Sequence, residues 1–247
     1  VSAAVAYILT QWFGVNVVAS LLNVPKDCWH DWHMGIGGHC FSDYGMVVQA
    51  GLQPNPWAYE MTLPFGNYEP LRIGGPAAGF LPAVLFGLPA QWLGSPQLGL
   101  LGYLLALTVA VFAPGGWAAR VARGLEPVVV FVALGIAAIP AWGAIDRGNS
   151  AGFIAPIALV FLVALRRQRW GLVALMVVLA ALIKPWFAVL AVALFAVRQW
   201  RWGSLAVAGV AVTNFAAYLL WPRDFPRTIT QSIQNLSSIG SSFQDLV

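Results

Sequence analysis

The residues best suited to chemistry are concentrated in one polar stretch, residues 23–75. This stretch contains five of the nine acidic residues, all three histidines and both cysteines of the 247-residue chain. A carboxylate beside a hydroxyl group can accept its proton, and such general-base catalysis typically contributes roughly 10²–10⁴-fold to a rate. A polar segment of this length between apolar runs is long enough to form a structured functional element. The stretch is therefore the first candidate for a site.

Two cysteines within this stretch, Cys28 and Cys40, bracket the segment CWHDWHMGIGGHC. On the outer side of a membrane they predict a disulfide in an oxidising compartment, and closing that loop would stabilise the fold by roughly 3 kcal/mol. The alternative is a zinc site that adds the histidines at 30, 33 and 39, although this spacing matches no standard zinc pattern. We favour the disulfide and assign no metal site.

The composition places these residues in a membrane protein. Hydrophobic residues make up 60% of the chain and charged residues only 9%, against roughly 25% charged residues in soluble domains. Soluble, disordered and nucleic-acid-binding proteins are excluded because all of them need more charge. We therefore predict an all-α, polytopic membrane helical bundle.

About seven apolar segments are predicted to cross the membrane. They are approximately residues 1–22, 97–115, 126–145, 150–165, 170–184, 186–198 and 203–221. Arginines follow the second, fourth and sixth segments, and the positive-inside rule puts these arginines in the cytoplasm. Alternate loops are then cytoplasmic only if residues 76–94, which prolines and glycines interrupt, form a re-entrant or interfacial segment instead of a full crossing.

The two segments that flank Lys184 are too short to span a membrane. About 15 residues separate Arg169 from Lys184, and about 14 separate Lys184 from Arg198. At 1.5 Å per residue each reaches roughly 21 Å, against a hydrocarbon core of roughly 30 Å. A backbone break at that depth is tolerated where it lines a wet cavity. We predict an outward-open cavity with Lys184 at its floor; the alternative is that Lys184 snorkels to the interface.

These segments divide the chain into four parts. Residues 1–22 form the first transmembrane helix, and residues 23–96 form a structured periplasmic loop with the re-entrant or interfacial segment. Residues 97–221 form the transmembrane bundle, and residues 222–247 form a further periplasmic segment. The chain begins at Val and ends on SSFQDLV, so we expect it to be part of a longer protein.

Several short motifs, taken in order, resemble a known family. They are Ser42-Asp43-Tyr44, Leu52-Gln53-Pro54-Asn55-Pro56-Trp57, Tyr68-Glu69-Pro70 through Leu88-Pro89, Asp146-Arg147-Gly148-Asn149, Arg166-Arg167-Gln168-Arg169-Trp170, Lys184-Pro185 and Arg198-Gln199-Trp200-Arg201-Trp202. Over roughly residues 40–205 they resemble the GT-C glycosyltransferases, specifically the bacterial polyprenol-phosphate-mannose-dependent α-mannosyltransferases. D-R-G-N stands where that family has G-Q-x-N, Y-E-P replaces a Y-P-P-like turn, and the Cys/His-rich insert at 26–40 is additional.

The resemblance implies sugar transfer from a polyprenyl-phosphate donor on the outer, periplasmic face of the cytoplasmic membrane. Mannose is the first expectation for the sugar, with arabinofuranose and other lipid-phosphate sugars open, and a glycolipid or cell-envelope glycan is the expected acceptor. The resemblance also implies that an acid in the first outer loop is the catalytic base. Asp43 is the position that matches, ahead of Asp31 and Glu69. We expect inversion at the anomeric carbon.

The remaining roles follow from the chemistry of that reaction. The leaving phosphate needs cations in a site of low dielectric, and we nominate Lys184, Arg72 and Arg147. Asp146, Asn149 and Tyr68 are expected to contact the sugar. No cofactor or metal is expected, since a lipid monophosphate lacks the diphosphate that a divalent ion usually bridges. The expected partners are membrane lipids, the donor and the acceptor, without nucleic acid.

Two other functions are compatible with a polytopic chain of this kind. Broken helices and a buried cation would also serve a transporter or lipid flippase for anionic substrates. Twelve tryptophans and glycine-rich helices would also serve a non-catalytic subunit of a membrane complex. The transporter is weakened because the helices show no internal repeat and the acids cluster in one outer loop instead of at the membrane midplane. The subunit alternative predicts that Asp43 and Lys184 share no cavity.

Overall fold

The computed structural model describes residues 41–61, 71–120 and 122–244. Within these ranges the chain is mainly helical, with ten α-helices and one small antiparallel hairpin. The hairpin pairs Glu60 with Arg72 and Met61 with Leu71. The prediction of an all-α fold is confirmed for this part of the chain. The predicted first helix at 1–22 lies outside the described residues.

The described elements follow one another along the chain with short connections. They are α1 (Ser42–Gly51), β1 (Glu60–Met61), β2 (Leu71–Arg72), a 3₁₀ helix (Ala77–Phe80), α2 (Leu81–Trp92), α3 (Pro96–Ala119), α4 (Glu126–Phe131) continued by a π-helical turn (Val132–Ile136), α5 (Ile139–Arg147), a 3₁₀ helix (Ser150–Phe153), α6 (Ile154–Arg166), α7 (Trp170–Ile183), a 3₁₀ helix (Pro185–Ala191), α8 (Val192–Ala196), α9 (Trp200–Tyr218) and α10 (Arg227–Gln244).

Among the described helices, α3 is long and apolar enough to cross a membrane by itself. The segments Glu126–Ile136 and Pro140–Arg147 would make a second crossing if they are taken together, but they are bent by 55°. The other apolar helices are shorter, so seven crossings remain a prediction. The segment predicted as one crossing at 126–145 is thus broken. Pro140 explains the break, since proline lacks the N–H group that would continue the helical ladder.

The predicted break at Lys184 is present in the backbone. Helix α7 ends at Ile183, and Lys184 is extended, with φ −142° and ψ 111°. Pro185 then starts the 3₁₀ helix that leads into α8. The residue before a proline is disfavoured in the helical region, so this dipeptide ends α7 for a local reason.

The chain divides into two compact units. The first contains Val1–Met46 and Pro89–Pro156, of which residues 41–46, 89–120 and 122–156 are described. Helix α3 is its centre and packs against α4, the π-helical turn, α5 and the 3₁₀ helix at 150–153. A Cβ on Gly115 would lie 3.3 Å from the nitrogen of Gly135, so these two glycines allow a close approach of two backbones.

The second unit contains Val47–Leu88 and Ile157–Val247 and has two buried clusters. The aliphatic cluster consists of Phe161, Ala164, Val173, Ala174, Met176, Val177, Ala191, Leu194 and Ala206. The aromatic cluster consists of Ala50, Trp57, Ala77, Ala78, Phe80, Ala217, Tyr218 and Trp221. Trp57 is its centre: its ring stacks on Tyr218 at 5.1 Å between centroids and meets the edges of Phe80 and Trp221.

The helix α10 was not predicted by the sequence, which indicated only a periplasmic segment at 222–247. Its polar residues face inward: Thr228 and Ser232 are buried, and Asn235 donates to the carbonyls of Trp57 and Ile73. Ile233 and Leu236 are exposed instead. Surface helices usually place their apolar face against the core, whereas α10 places polar side chains there.

Candidate active site

The Asp43 carboxylate, in the first turn of α1, is the centre of a polar cluster in the first unit. Asn149 donates from Nδ2 to Oδ2 of Asp43 at 2.7 Å. Arg147 donates from Nη2 to Oδ1 at 3.3 Å and from Nε to Oδ2 at 3.4 Å. Both partners are more than 100 residues away in the sequence and come from the D-R-G-N segment, so the fold brings together two of the motifs that the sequence singled out.

The two partners of Asp43 hold it with different rigidity. The bond to Asn149 is short, and its other amide atom, Oδ1, accepts the N–H of Ala151 at 2.9 Å as an N-cap. The bonds to Arg147 are long, and 64% of the Arg147 side chain is exposed, against 21% for Asp43. An exposed ion pair of this kind contributes little to stability because water competes with it. Asn149 therefore fixes the carboxylate, while Arg147 is held loosely.

Gly148 lets the end of α5 approach the start of α1. It closes α5 in the left-handed conformation, φ 64°, which glycine adopts without strain. A Cβ at this position would lie 2.8 Å from Cβ of Tyr44. The carbonyl of Gly148 accepts the hydroxyl of Tyr103 at 2.9 Å, and the Tyr103 ring lies 4.5 Å from that of Tyr44. The D-R-G-N segment is thus locked to both α1 and α3.

The residue before α1 adds one more contact to this cluster. The backbone N–H of Phe41 donates to the carbonyl of Asp146 at 3.2 Å. Phe41 has φ 44°, a left-handed conformation that is uncommon for a bulky residue. Strained backbone of this type tends to occur at functional sites. Each residue of D-R-G-N therefore contacts the Phe41–Tyr44 segment directly.

Tyr44 is a neutral member of the cluster. Burial raises its pKa to about 12, because the apolar surroundings disfavour the phenolate. At neutral pH Tyr44 therefore carries no charge and does not act as a base. Asp43 remains the carboxylate that Arg147 and Asn149 hold.

The other nominated cations lie in the second unit. Lys184 is half-buried at the backbone break, and its Nζ lies 5.6 Å from the ring centroid of the exposed Trp186, a cation–π distance. Arg72 pairs across the hairpin with Glu60, and both side chains are about half exposed. That pairing favours a role for Arg72 in the hairpin over one in phosphate binding.

A second polar cluster, around Asn55 of the P-N-P-W segment, was missed by the sequence analysis. Asn55 is only 8% exposed. It donates to Asp224 Oδ2 at 2.9 Å and to Gln231 Oε1 at 3.1 Å, and its own Oδ1 accepts the N–H groups of Trp57 and Ala58. No local pattern indicates these partners, because they lie 169 and 176 residues away along the chain.

Several of the predicted site residues lie outside the described residues. These are Cys28, Cys40, Asp31, Tyr68 and Glu69, together with the histidines. The disulfide and its zinc alternative therefore stay predictions. Among the residues that the structure does describe, no group of three or more His, Cys, Asp or Glu side chains is placed to bind a metal ion.

Residues 81–246, more than half of the chain, match the model of the family described as Glycosyltransferase family 87. The matched range contains D-R-G-N, Lys184 and helices α2 to α10, whereas Asp43 precedes it. Searches of the curated proteins and of the solved structures returned no match.

Proposed function

The chain belongs to glycosyltransferase family 87, and on this premise we propose that it transfers a sugar, with mannose as the first choice, from a polyprenyl-phosphate donor to a glycolipid or cell-envelope glycan. The active site would face the periplasm, and Asp43 would be the general base. The observation that carries the proposal is the Asp43 carboxylate, held by Asn149 and Arg147 at the point where the motif segments meet.

The hydrogen bonds of Asp43 support its proposed role as the base. Glycosyl transfer with inversion requires a carboxylate that takes the acceptor proton while the acceptor oxygen attacks the anomeric carbon. Among the described residues, Asn149 donates to Oδ2 of Asp43 at 2.7 Å, and Oδ1 accepts only the 3.3 Å contact from the exposed Arg147. The atom Oδ1 is therefore the one that an acceptor hydroxyl would reach.

The leaving phosphate would be held by cations. Arg147 is bound loosely enough to Asp43 to exchange that contact for a phosphate oxygen, and guanidinium groups bind phosphate with two parallel hydrogen bonds. Lys184, at the backbone break of the second unit, is the other cation that we propose for phosphate binding. Its half-burial and its position before Pro185 support this role over that of an ordinary interfacial lysine.

The test is transfer by the purified full chain, in lipid nanodiscs, from a panel of polyprenyl-phosphate sugars. We expect Asp43→Asn to lower kcat by roughly 10²–10⁴-fold, the usual contribution of a general base, with little change in thermal stability because the amide keeps the size of the side chain. Glu60→Gln is the matched control, since it removes another outer-loop carboxylate that pairs only with Arg72 among the described residues, and it should stay within about twofold of wild type.

Full transfer activity in Asp43→Asn would remove Asp43 from the mechanism. If the wild-type chain moves lipid across vesicles without consuming any sugar donor, the flippase alternative replaces the glycosyltransferase proposal.

A further inference from the structure

Helix α9 carries a buried hydrogen-bond acceptor whose partner is missing from the described part of the chain. Nδ2 of Asn214 donates to the carbonyl of Val210 at 2.9 Å, one turn earlier, which fixes the orientation of the amide. Its Oδ1 is buried, and no described group donates to it. A buried acceptor without a donor carries its full desolvation cost, so such groups in native proteins call for an explanation.

Helices α7 and α9 lie side by side and run in the same direction. Near their starts, a Cβ on Gly171 would lie 3.1 Å from the Trp202 ring; further along both helices, a Cβ on Gly209 would lie 2.9 Å from Val178. The second of these contacts sets the register of the two helices, because it joins a glycine to a short side chain.

This register gives Asn214 the same height along the helix axes as the end of α7. Asn214 lies five residues beyond Gly209, and Ile183 lies five residues beyond Val178, so both are about 7.5 Å further along parallel axes. Ile183 is the last residue of α7, and Lys184 follows it. Asn214 is therefore at the height of the backbone break.

Along α9, Asn214 also lies between the residues that contact the two buried clusters of this unit. Val210, one turn before Asn214, packs against the aliphatic cluster, and Ala217, about one turn after it, belongs to the aromatic cluster. Its neighbour Thr213 is satisfied, since its hydroxyl donates to the carbonyl of Gly209 at 2.7 Å. Of the two adjacent polar side chains at this height of α9, only Asn214 therefore has an unsatisfied atom.

The chemistry of a lipid-linked sugar identifies the group that fits an unsatisfied acceptor. A polyprenyl chain has no hydrogen-bond donor, and the phosphodiester anion presents only acceptors, so neither satisfies an amide oxygen. The hydroxyl groups of the sugar do donate. The sugar is also attached directly to the phosphate, so a phosphate bound at Lys184 would bring these hydroxyls to the height of Asn214 along the helix axes.

We propose that Asn214 is a sugar-binding residue whose Oδ1 accepts a hydrogen bond from a hydroxyl group of the lipid-linked sugar, beside the phosphate bound at Lys184. This inference rests on the proposed glycosyltransferase function and extends it to a specificity determinant in α9. It gives the site a means to distinguish a loaded donor from the spent lipid phosphate, since only the donor carries the hydroxyl.

The test uses Asn214→Leu, which keeps the approximate size of the side chain and removes the acceptor. We expect the affinity for polyprenyl-phosphate mannose, or for the arabinofuranose donor if wild type turns that over, to fall about five- to tenfold, the usual effect of one neutral hydrogen bond. The affinity for sugar-free polyprenyl phosphate should stay within about twofold. The thermal midpoint in detergent should be equal or higher, because a buried unsatisfied group has been removed.

Two further variants complete the design. Thr213→Val removes the neighbouring hydroxyl, which bonds within its own helix, and should leave both affinities unchanged. Lys184→Ala should lower the affinity for both the donor and the sugar-free polyprenyl phosphate, because both carry the phosphate.

The possible outcomes separate the two proposals. If wild type binds and turns over the donor and Asn214→Leu binds it equally well, the sugar contact is wrong and the glycosyltransferase proposal stands. A lowered thermal midpoint, or equal weakening of both lipids, would give Asn214 a structural role and overturn the inference. If wild type neither binds nor turns over any donor of the panel, the proposed function fails and the inference fails with it.

Discussion

At the scale of single residues, the contacts of Asn149 differ from the sugar contact that the sequence predicted. The D-R-G-N pattern suggested a contact to the sugar, but both ends of the Asn149 amide are engaged, Nδ2 with Asp43 and Oδ1 with the N–H of Ala151. We therefore expect Asn149 to position the base. No local pattern predicts this bond, because its partners lie 106 residues apart and only the packing of α5 against α3 defines where they meet.

The positioning role makes a kinetic prediction for Asn149→Asp. This variant keeps the oxygen that caps the 3₁₀ helix but loses the donor to Asp43, so kcat should fall about 10- to 100-fold, as for the loss of a hydrogen bond to a charged group, while donor affinity stays within about threefold. The acid side of the pH–rate profile should also move to higher pH, because two adjacent carboxylates resist simultaneous ionisation. Steady-state kinetics with the donor, from pH 5 to 9, measures both effects.

An unchanged pH profile in Asn149→Asp, or a loss of donor affinity as large as the loss in kcat, would contradict this positioning role.

At the scale of the elements, one break was predicted, and a second break and a helix were not. The break after Ile183 follows from Lys184-Pro185, since proline acts locally. The break before Arg147 was predicted as part of one crossing, although Pro140 explains it. Helix α10 was not predictable in the same way. Its inward face carries Thr228 and Ser232, which bury hydroxyls beside the aromatic cluster, and a periodicity search for apolar faces does not find such a helix.

The end of α5 makes a prediction about two glycines of the same helix. Gly148→Ala should destabilise the protein by about 1–3 kcal/mol and lower transfer activity, because φ is +64° and the new Cβ would meet Tyr44 at 2.8 Å. Gly143→Ala is the control: it is helical, and a Cβ there has no described neighbour within 4 Å. It should stabilise the helix by about 0.5–1 kcal/mol. Thermal unfolding in detergent compares the two.

Equal stability of the two glycine variants would mean that the approach of α5 to Tyr44 does not hold the start of α1.

At the scale of the whole molecule, the arginines define the expected orientation in the membrane. Seven of them form three clusters, at Arg120 and Arg123, at Arg166, Arg167 and Arg169, and at Arg198 and Arg201. All seven are exposed and lie at or just beyond helix ends. Two of these turns have the same geometry: Gln168 and Arg198 are left-handed, with φ 55° and 59°, and each lies two residues after one helix ends and two before the next begins. Helices α7 and α8 thus lie between two equivalent basic turns.

If these turns are cytoplasmic, the connection after α9 is on the other side, and this can be measured. A cysteine introduced at Gln168 or at Arg223, both exposed, reports one side each, and the signal of the unsubstituted chain, which carries Cys28 and Cys40, is subtracted. A membrane-impermeant maleimide should label Arg223→Cys in intact cells and Gln168→Cys only after the membrane is opened, since positive charge is retained in the cytoplasm.

The reverse pattern would put the acid-rich loop and Asp43 on the cytoplasmic side. Soluble nucleotide sugars are available there, so the case for a lipid-linked donor would lose its premise. The labelling experiment therefore tests the choice of donor as well as the topology.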